Sequence, residues 1–133
     1  HNQQSKYFFS RKLDFKLIQS AIQIIKKNKN FKSFCRTKTD VTNFECEIID
    51  FRFEVIEHEI IFTLKANRFL RNMVRSIIGT ILDVGLKKTT LKDLNNIINK
   101  SNRVYAGSSV PAHGLFLTGI KYPKKYITHE NKI

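Results

Sequence analysis

Three guanidiniums stand out in this chain: Arg68, Arg71 and Arg75, spaced i, i+3, i+7. On a wheel of about 100° per residue they stack in one narrow arc. Such a stripe can bind phosphate or hold a carboxylate ionised, because a guanidinium is permanently charged and presents a planar fork of donors. Surface helices also carry arginines simply for solubility, and the pattern alone does not separate these readings. Other chemistry is thinly represented. His1, His58, His113 and His129 are scattered, and His58 lies between Glu57 and Glu59, where it reads as a solvated turn residue. No phosphate-cradling glycine-rich loop, Ser-His-Asp series or metal-ligand cluster occurs. Cys35 and Cys46 form no CxxC and have no histidine at ligand spacing, so they read as free thiols, with neither a disulfide framework nor a metal site. Asp14, Asp50, Asp83 and Asp93 each read as cap, strand surface or helix surface, which leaves Asp40 alone in a flexible polar loop.

The element that would carry the arginines is a helix across Lys65–Gly85. Asn67 reads as its N-cap and Gly85 as the residue just past its end. Phe69, Leu70, Met73, Val74, Ile77, Ile78, Ile81 and Val84 make its apolar half; Asn72, Ser76, Gly79 and Asp83 join the arginines on the polar half. Upstream, Lys6–Phe9 reads as the end of a strand whose partners precede it. From the cap Asp14, the apolar positions Phe15, Ile18, Ala21, Ile22 and Ile25 repeat at helical spacing, closing on Lys26, Lys27 and Lys29. Arg36–Asp40 is a polar loop. Between Glu45 and Ala66 the period becomes two, around Glu57-His58-Glu59, which predicts an antiparallel hairpin with Ile49, Phe51, Phe53 and Val55 on the core side. Thr90 with Asp93 opens a third helix through Leu91, Leu94, Ile97 and Ile98, ending near Lys100. A loop over 102–113 and a strand Leu115–Tyr122 follow, with a tail beyond Lys124. The order predicts one α+β domain: an antiparallel sheet with helices packed on one face.

The chain has 133 residues, 24 basic and 11 acidic side chains, and a formal charge of +13. Residues 1–40 carry +8, the hairpin region 41–66 carries −4, and 67–133 carry +9. A polyanion is the obvious partner, and an anionic membrane surface the competing one. Because the charge comes from several elements and not one amphipathic helix, nucleic acid fits better, with the acidic hairpin facing away from it. No apolar run is long enough for a membrane span and no signal segment is visible, which points to the cytoplasm. The chain does not begin with methionine, Met73 being the only one, and so reads as a piece of a longer protein.

Three ordered motifs then carry a resemblance. Phe31-x-Ser33-Phe34, Lys65-Ala66-Asn67-x-Phe69-Leu70-x-x-Met73-Val74-Arg75-x-Ile77-x-Gly79 with Val84-Gly85, and Ser109-Val110-Pro111-Ala112-x-Gly114-Leu115-x-Leu117 with Tyr122-Pro123 resemble the C-terminal half of the tRNA pseudouridine synthase A family. The similarity runs from about residue 13 to Tyr126, which divides the chain into an upstream remnant (1–12), a catalytic and RNA-binding domain (13–126) and a tail (127–133). The resemblance implies isomerisation of uridine to pseudouridine in the tRNA anticodon stem-loop, without metal or organic cofactor, by a homodimer when full length. It implies that Arg75 is the partner of a catalytic aspartate that this chain lacks: the family's Arg-Thr-Asp-x-Gly loop lies upstream. Arg36-Thr37-Lys38-Thr39-Asp40 only imitates it, with two extra residues and no following glycine. Tyr7 likewise does not match the family's active-site tyrosine. Leu115 corresponds to an apolar residue lining the base pocket, or is simply a core strand leucine, and Phe69 reads as core. Arg68 and Arg71, with Lys26, Lys27, Lys29, Lys87 and Lys88, are candidate phosphate contacts. Arg75 is then expected away from the apolar core, exposed or held by another anion, and the chain inactive without its N-terminal half. The alternative is a non-catalytic basic RNA-binding module.

Overall fold

The computed structural model describes residues 2–8, 12–35, 43–100 and the strand 115–117. Four antiparallel strands form one sheet: β1 (Asn2–Phe8), β2 (Ile48–Ile56), β3 (Glu59–Ala66) and β4 (Leu115–Leu117), in the order β2-β3-β1-β4. Three helices accompany them: α1 (Phe15–Lys27), α2 (Met73–Gly85) and α3 (Leu91–Lys100). On β3, Ile60, Phe62, Leu64 and Ala66 are buried while Ile61, Thr63 and Lys65 are not, so one face of the sheet meets the helices in a single apolar core. This is the α+β arrangement read from the sequence. The expectation that the first strand finds its partners upstream is corrected: β1 is an inner strand, paired with β3 (Ser5 opposite Phe62) and with β4. The loop holding Asp40, the loop 102–113, the rest of the last strand and the tail lie outside the described residues.

Local chemistry explains most boundaries. Asp14 Oδ1 accepts from the Lys16 and Leu17 amides at 3.1 Å and caps α1. Thr90 and Asp93 cap α3 reciprocally, the Asp93 amide donating to Thr90 Oγ1 at 3.0 Å and the Thr90 amide to Asp93 Oδ2 at 3.2 Å. The hairpin turns in two residues, with Glu57 at φ 55°. One register expectation fails. Between Ile48 and Asp50 the β2–β3 pairing slips by a residue, so Ile48 is buried and Ile49 is 55% exposed. Near the tip Val55 is exposed as well, so only Phe51 and Phe53 of that alternating set lean toward the core.

The central helix is shorter than the spacing predicts. Asn67 ends the sheet instead of starting the helix: its amide donates to the Glu47 carbonyl at 3.0 Å, and its Oδ1 accepts from the Glu47 amide at 2.8 Å. The chain then turns through 68–72, and Asn72 takes a left-handed conformation at φ 64°, one asparagine tolerates. Helical hydrogen bonding begins there, Ser76 N donating to Asn72 O at 3.0 Å. Arg68 and Arg71 therefore lie in a turn, and the three-arginine helical stripe does not exist. The polar half is corrected too, because Ser76 and Gly79 are buried while Arg75 and Asp83 are half-buried.

Candidate active-site cleft and basic surface

Arg75 is the third residue of α2, in its first turn, and is half-buried. That turn contains no acidic residue. Since the helix dipole already places partial positive charge at this end, a cation here costs stability and concentrates positive potential. The same turn opens on a cavity of about 150 Å³ lined by Phe69, Leu70, Asn72, Met73, Val74 and Arg75 together with Gln3 of β1. Gln3 lies on the inner strand, where its register partner across β4 is Leu117, and Ser5 faces Leu115. The sheet thus brings the backbone of Leu115 within two residues of Gln3 along β1. Phe69, read as core, is half-buried and lines the cleft.

Tyr7 lies further along β1 and is fully buried. Burial pushes its phenol well above the ordinary 10.0; Ser5 and then the nearby Arg75 guanidinium oppose the shift without reversing it. No hydrogen bond of good geometry reaches its hydroxyl.

The turn carrying the other arginines is anchored from below. Arg68 Nη1 donates to the Asn43 and Glu45 carbonyls at 3.2 and 3.3 Å, clasping the segment that precedes β2. The Leu70 amide points at Met73 Sδ at 3.5 Å, and Cys46 Sγ donates to the same sulfur at 3.7 Å. Cys35 and Cys46 are buried free thiols, both pushed up by burial. Among the described residues no group of three or more His, Cys, Asp or Glu could hold a metal ion, and no helix is long and apolar enough to cross a membrane.

Arg71 is exposed on this turn. Lys26 (half-buried) and Lys27 (exposed) close α1, followed by exposed Lys29. Lys87 and Lys88 are exposed past α2, with Lys87 Nζ 4.0 Å from Asp14 Oδ2. The candidate phosphate contacts thus surround α2 at both ends and do not form one stripe. Gln3 and Asn72, both lining the cleft, were not singled out by sequence. Gln3 sits on a strand whose placement depends on pairing more than fifty residues away, and Asn72 was read as part of a helix that begins after it. The Phe31-x-Ser33-Phe34 motif proves architectural: both rings are buried, and Ser33 Oγ donates to the Ile97 carbonyl at 2.6 Å, tying a 3₁₀ turn to α3.

An antiparallel sheet backed by helices, with a guanidinium at a helix N-terminus facing a small cleft, defines an α+β domain suited to holding an anionic group. A family model described as tRNA pseudouridine synthase matches residues 27–123. Curated relatives called tRNA pseudouridine synthase A are similar along most of the chain: one from Azobacteroides pseudotrichonymphae is 43% identical over 80% of this chain and 43% of its own length. One from Bacteroides fragilis is 38% identical over 93% of this chain and 50% of its own. A third, from Bacillus cereus, named tRNA pseudouridine synthase A 1, is 38% identical over 87% and 47%. The chain belongs to the tRNA pseudouridine synthase family, and it spans about half the length of the curated relatives it matches.

Proposed function

We propose that this chain supplies the C-terminal part of a tRNA pseudouridine synthase, an isomerase that converts uridine to pseudouridine in the anticodon stem-loop. The reaction moves the glycosidic bond from N1 to C5 of the base, with a proton gained at N1 and the C5 hydrogen released. Arg75 is the chain's own contribution to that chemistry. A catalytic carboxylate enclosed with an extruded base would be driven toward its neutral acid by desolvation; an adjacent guanidinium keeps it ionised and fixes its direction. The observation that carries this reading is the position of Arg75: in the Met-Val-Arg motif of a matched family, half-buried, at the positive end of α2, on the wall of a cleft. The carboxylate comes from an N-terminal half carrying the family's Arg-Thr-Asp-x-Gly loop. Leu115 lines the base pocket from β4, and the completed enzyme is a cytoplasmic homodimer acting without metal or organic cofactor. Arg68, Arg71, Lys26, Lys27, Lys29, Lys87 and Lys88 contact tRNA phosphates.

The test is tritium release from tRNA carrying uridine labelled at C5. The chain alone is expected to release none, and the chain joined to the N-terminal half of a relative such as that from Bacteroides fragilis is expected to turn over. Turnover by the chain alone would show that its nucleophile lies within it; RNA binding without turnover in the joined protein would favour the non-catalytic binding module.

A further inference from the structure

Asn67 stands where the chain leaves the sheet for the cleft. Strands β2 and β3 are paired as far as Ile48 opposite Ala66. One step beyond, Glu47 and Asn67 still exchange two hydrogen bonds: the Asn67 amide donates to the Glu47 carbonyl at 3.0 Å, and the Glu47 amide donates to Asn67 Oδ1 at 2.8 Å. In an antiparallel ladder the second of these would end on a main-chain carbonyl. Here a side-chain carbonyl takes its place, so the pairing is completed while the main chain beyond Asn67 turns away.

The segment that turns away is short and carries part of the cleft. Residues 68–72 link β3 to α2, and Phe69, Leu70 and Asn72 line the same cavity as Arg75. At its far end this turn is tied into the helix, Met73 N donating to Leu70 O at 3.1 Å and Ser76 N to Asn72 O at 3.0 Å. At its near end it is tied to the segment before β2 by the Asn67 pair and by Arg68 Nη1, whose contacts to the Asn43 and Glu45 carbonyls are longer, at 3.2 and 3.3 Å. Asn67 is therefore the firmer tie. It is exposed, so water can replace its bond to Glu47 and the bond adds little to global stability. It is also uncharged, so its loss removes no cationic contact to phosphate. What the bond sets is the place of the turn.

We infer that Asn67 is a positioning residue for the reaction: by pairing with Glu47 it fixes the turn that lines the cleft, and through that turn where the target base sits against Arg75. The inference rests on the pseudouridine-forming reading above. It requires an acceptor oxygen on a short side chain, which aspartate also supplies and alanine does not.

Single-turnover tritium release from C5-labelled tRNA by the joined protein at saturating tRNA tests it, with tRNA affinity measured alongside. Asn67→Ala is expected to lower the rate about tenfold while affinity stays within about twofold of the parent. Asn67→Asp, whose carboxylate accepts from the same Glu47 amide, is expected to restore the rate to within about threefold. In the chain alone, amide hydrogen exchange in Asn67→Ala is expected to quicken at Glu47 and within 69–72, with the amides of α1 unchanged. An Asn67→Ala protein that turns over like the parent, or whose loss aspartate does not recover, would overturn the inference and leave the functional reading intact. Weakened affinity at an unchanged saturating rate would make Asn67 an RNA contact and overturn it, and exchange quickened throughout α1 would show a general loosening and overturn it as well. A joined parent that does not turn over would instead remove the functional reading, and this inference with it.

Discussion

Tyr7 and Arg75 show how a single residue's surroundings set its chemistry. Burial holds the Tyr7 phenol neutral, raising its pKa above 10.0. The folded state therefore binds this proton more tightly than the unfolded state. Its contribution to stability is complete below pH 10 and lost as pH climbs beyond it. Tyr7→Phe should flatten the alkaline end of the unfolding-versus-pH curve, and near pH 7 it should change stability by no more than about 1 kcal/mol, because the hydroxyl it removes makes no good hydrogen bond. Denaturant melts from pH 7 to 12 would check both points. Ser33 is the opposite case. Its hydroxyl makes a buried 2.6 Å bond to the Ile97 carbonyl, so Ser33→Ala should cost about 1–2 kcal/mol, read as a lower urea midpoint at unchanged slope. Arg75 was legible in the sequence only through its motif. Periodicity put it on a par with Arg68 and Arg71; the structure separates the three, placing one in the helix and cleft, one as a clasp on two backbone carbonyls and one at the surface.

Among the elements, those whose boundaries depend on neighbouring residues were readable. Asp14 and the Thr90–Asp93 pair announced two helix starts, and the period-two run announced the hairpin. The start of α2 was not, because Asn67 is a good cap in principle and its real partner, Glu47, is twenty residues away on another segment. The slip at Ile49 was hidden for the same reason: a bulge is a property of two paired strands, and one strand's alternation cannot reveal it. The junction of α1 and α2 depends on the missing side chain of Gly85, whose carbonyl also accepts from the Asp14 amide at 2.9 Å. Gly85→Ala would push a methyl against the fully buried Ile18 and should cost about 1–3 kcal/mol, measured as a lower Tm. If Ile18→Val in the same chain recovers part of that loss, the close approach is the cause.

For the whole molecule, the charge distribution fits the RNA partner proposed above. The acidic hairpin and the basic remainder were visible as net charges of −4 and +17. What composition could not show is that the candidate phosphate contacts among the described residues lie toward both ends of a buried helix, with a cleft at the Arg75 end. Binding to tRNA should accordingly fall steeply between low and physiological salt, and a flat response would contradict the electrostatic account. The central claim is that Arg75 completes a catalytic site whose carboxylate lies in the N-terminal half of the relatives. Single-turnover tritium release from C5-labelled tRNA, compared for the joined protein with Arg75 and with Arg75→Ala, tests it most directly. The account predicts a rate loss on the order of a hundredfold or more with tRNA affinity nearly unchanged; an unaltered rate in the alanine variant would contradict it.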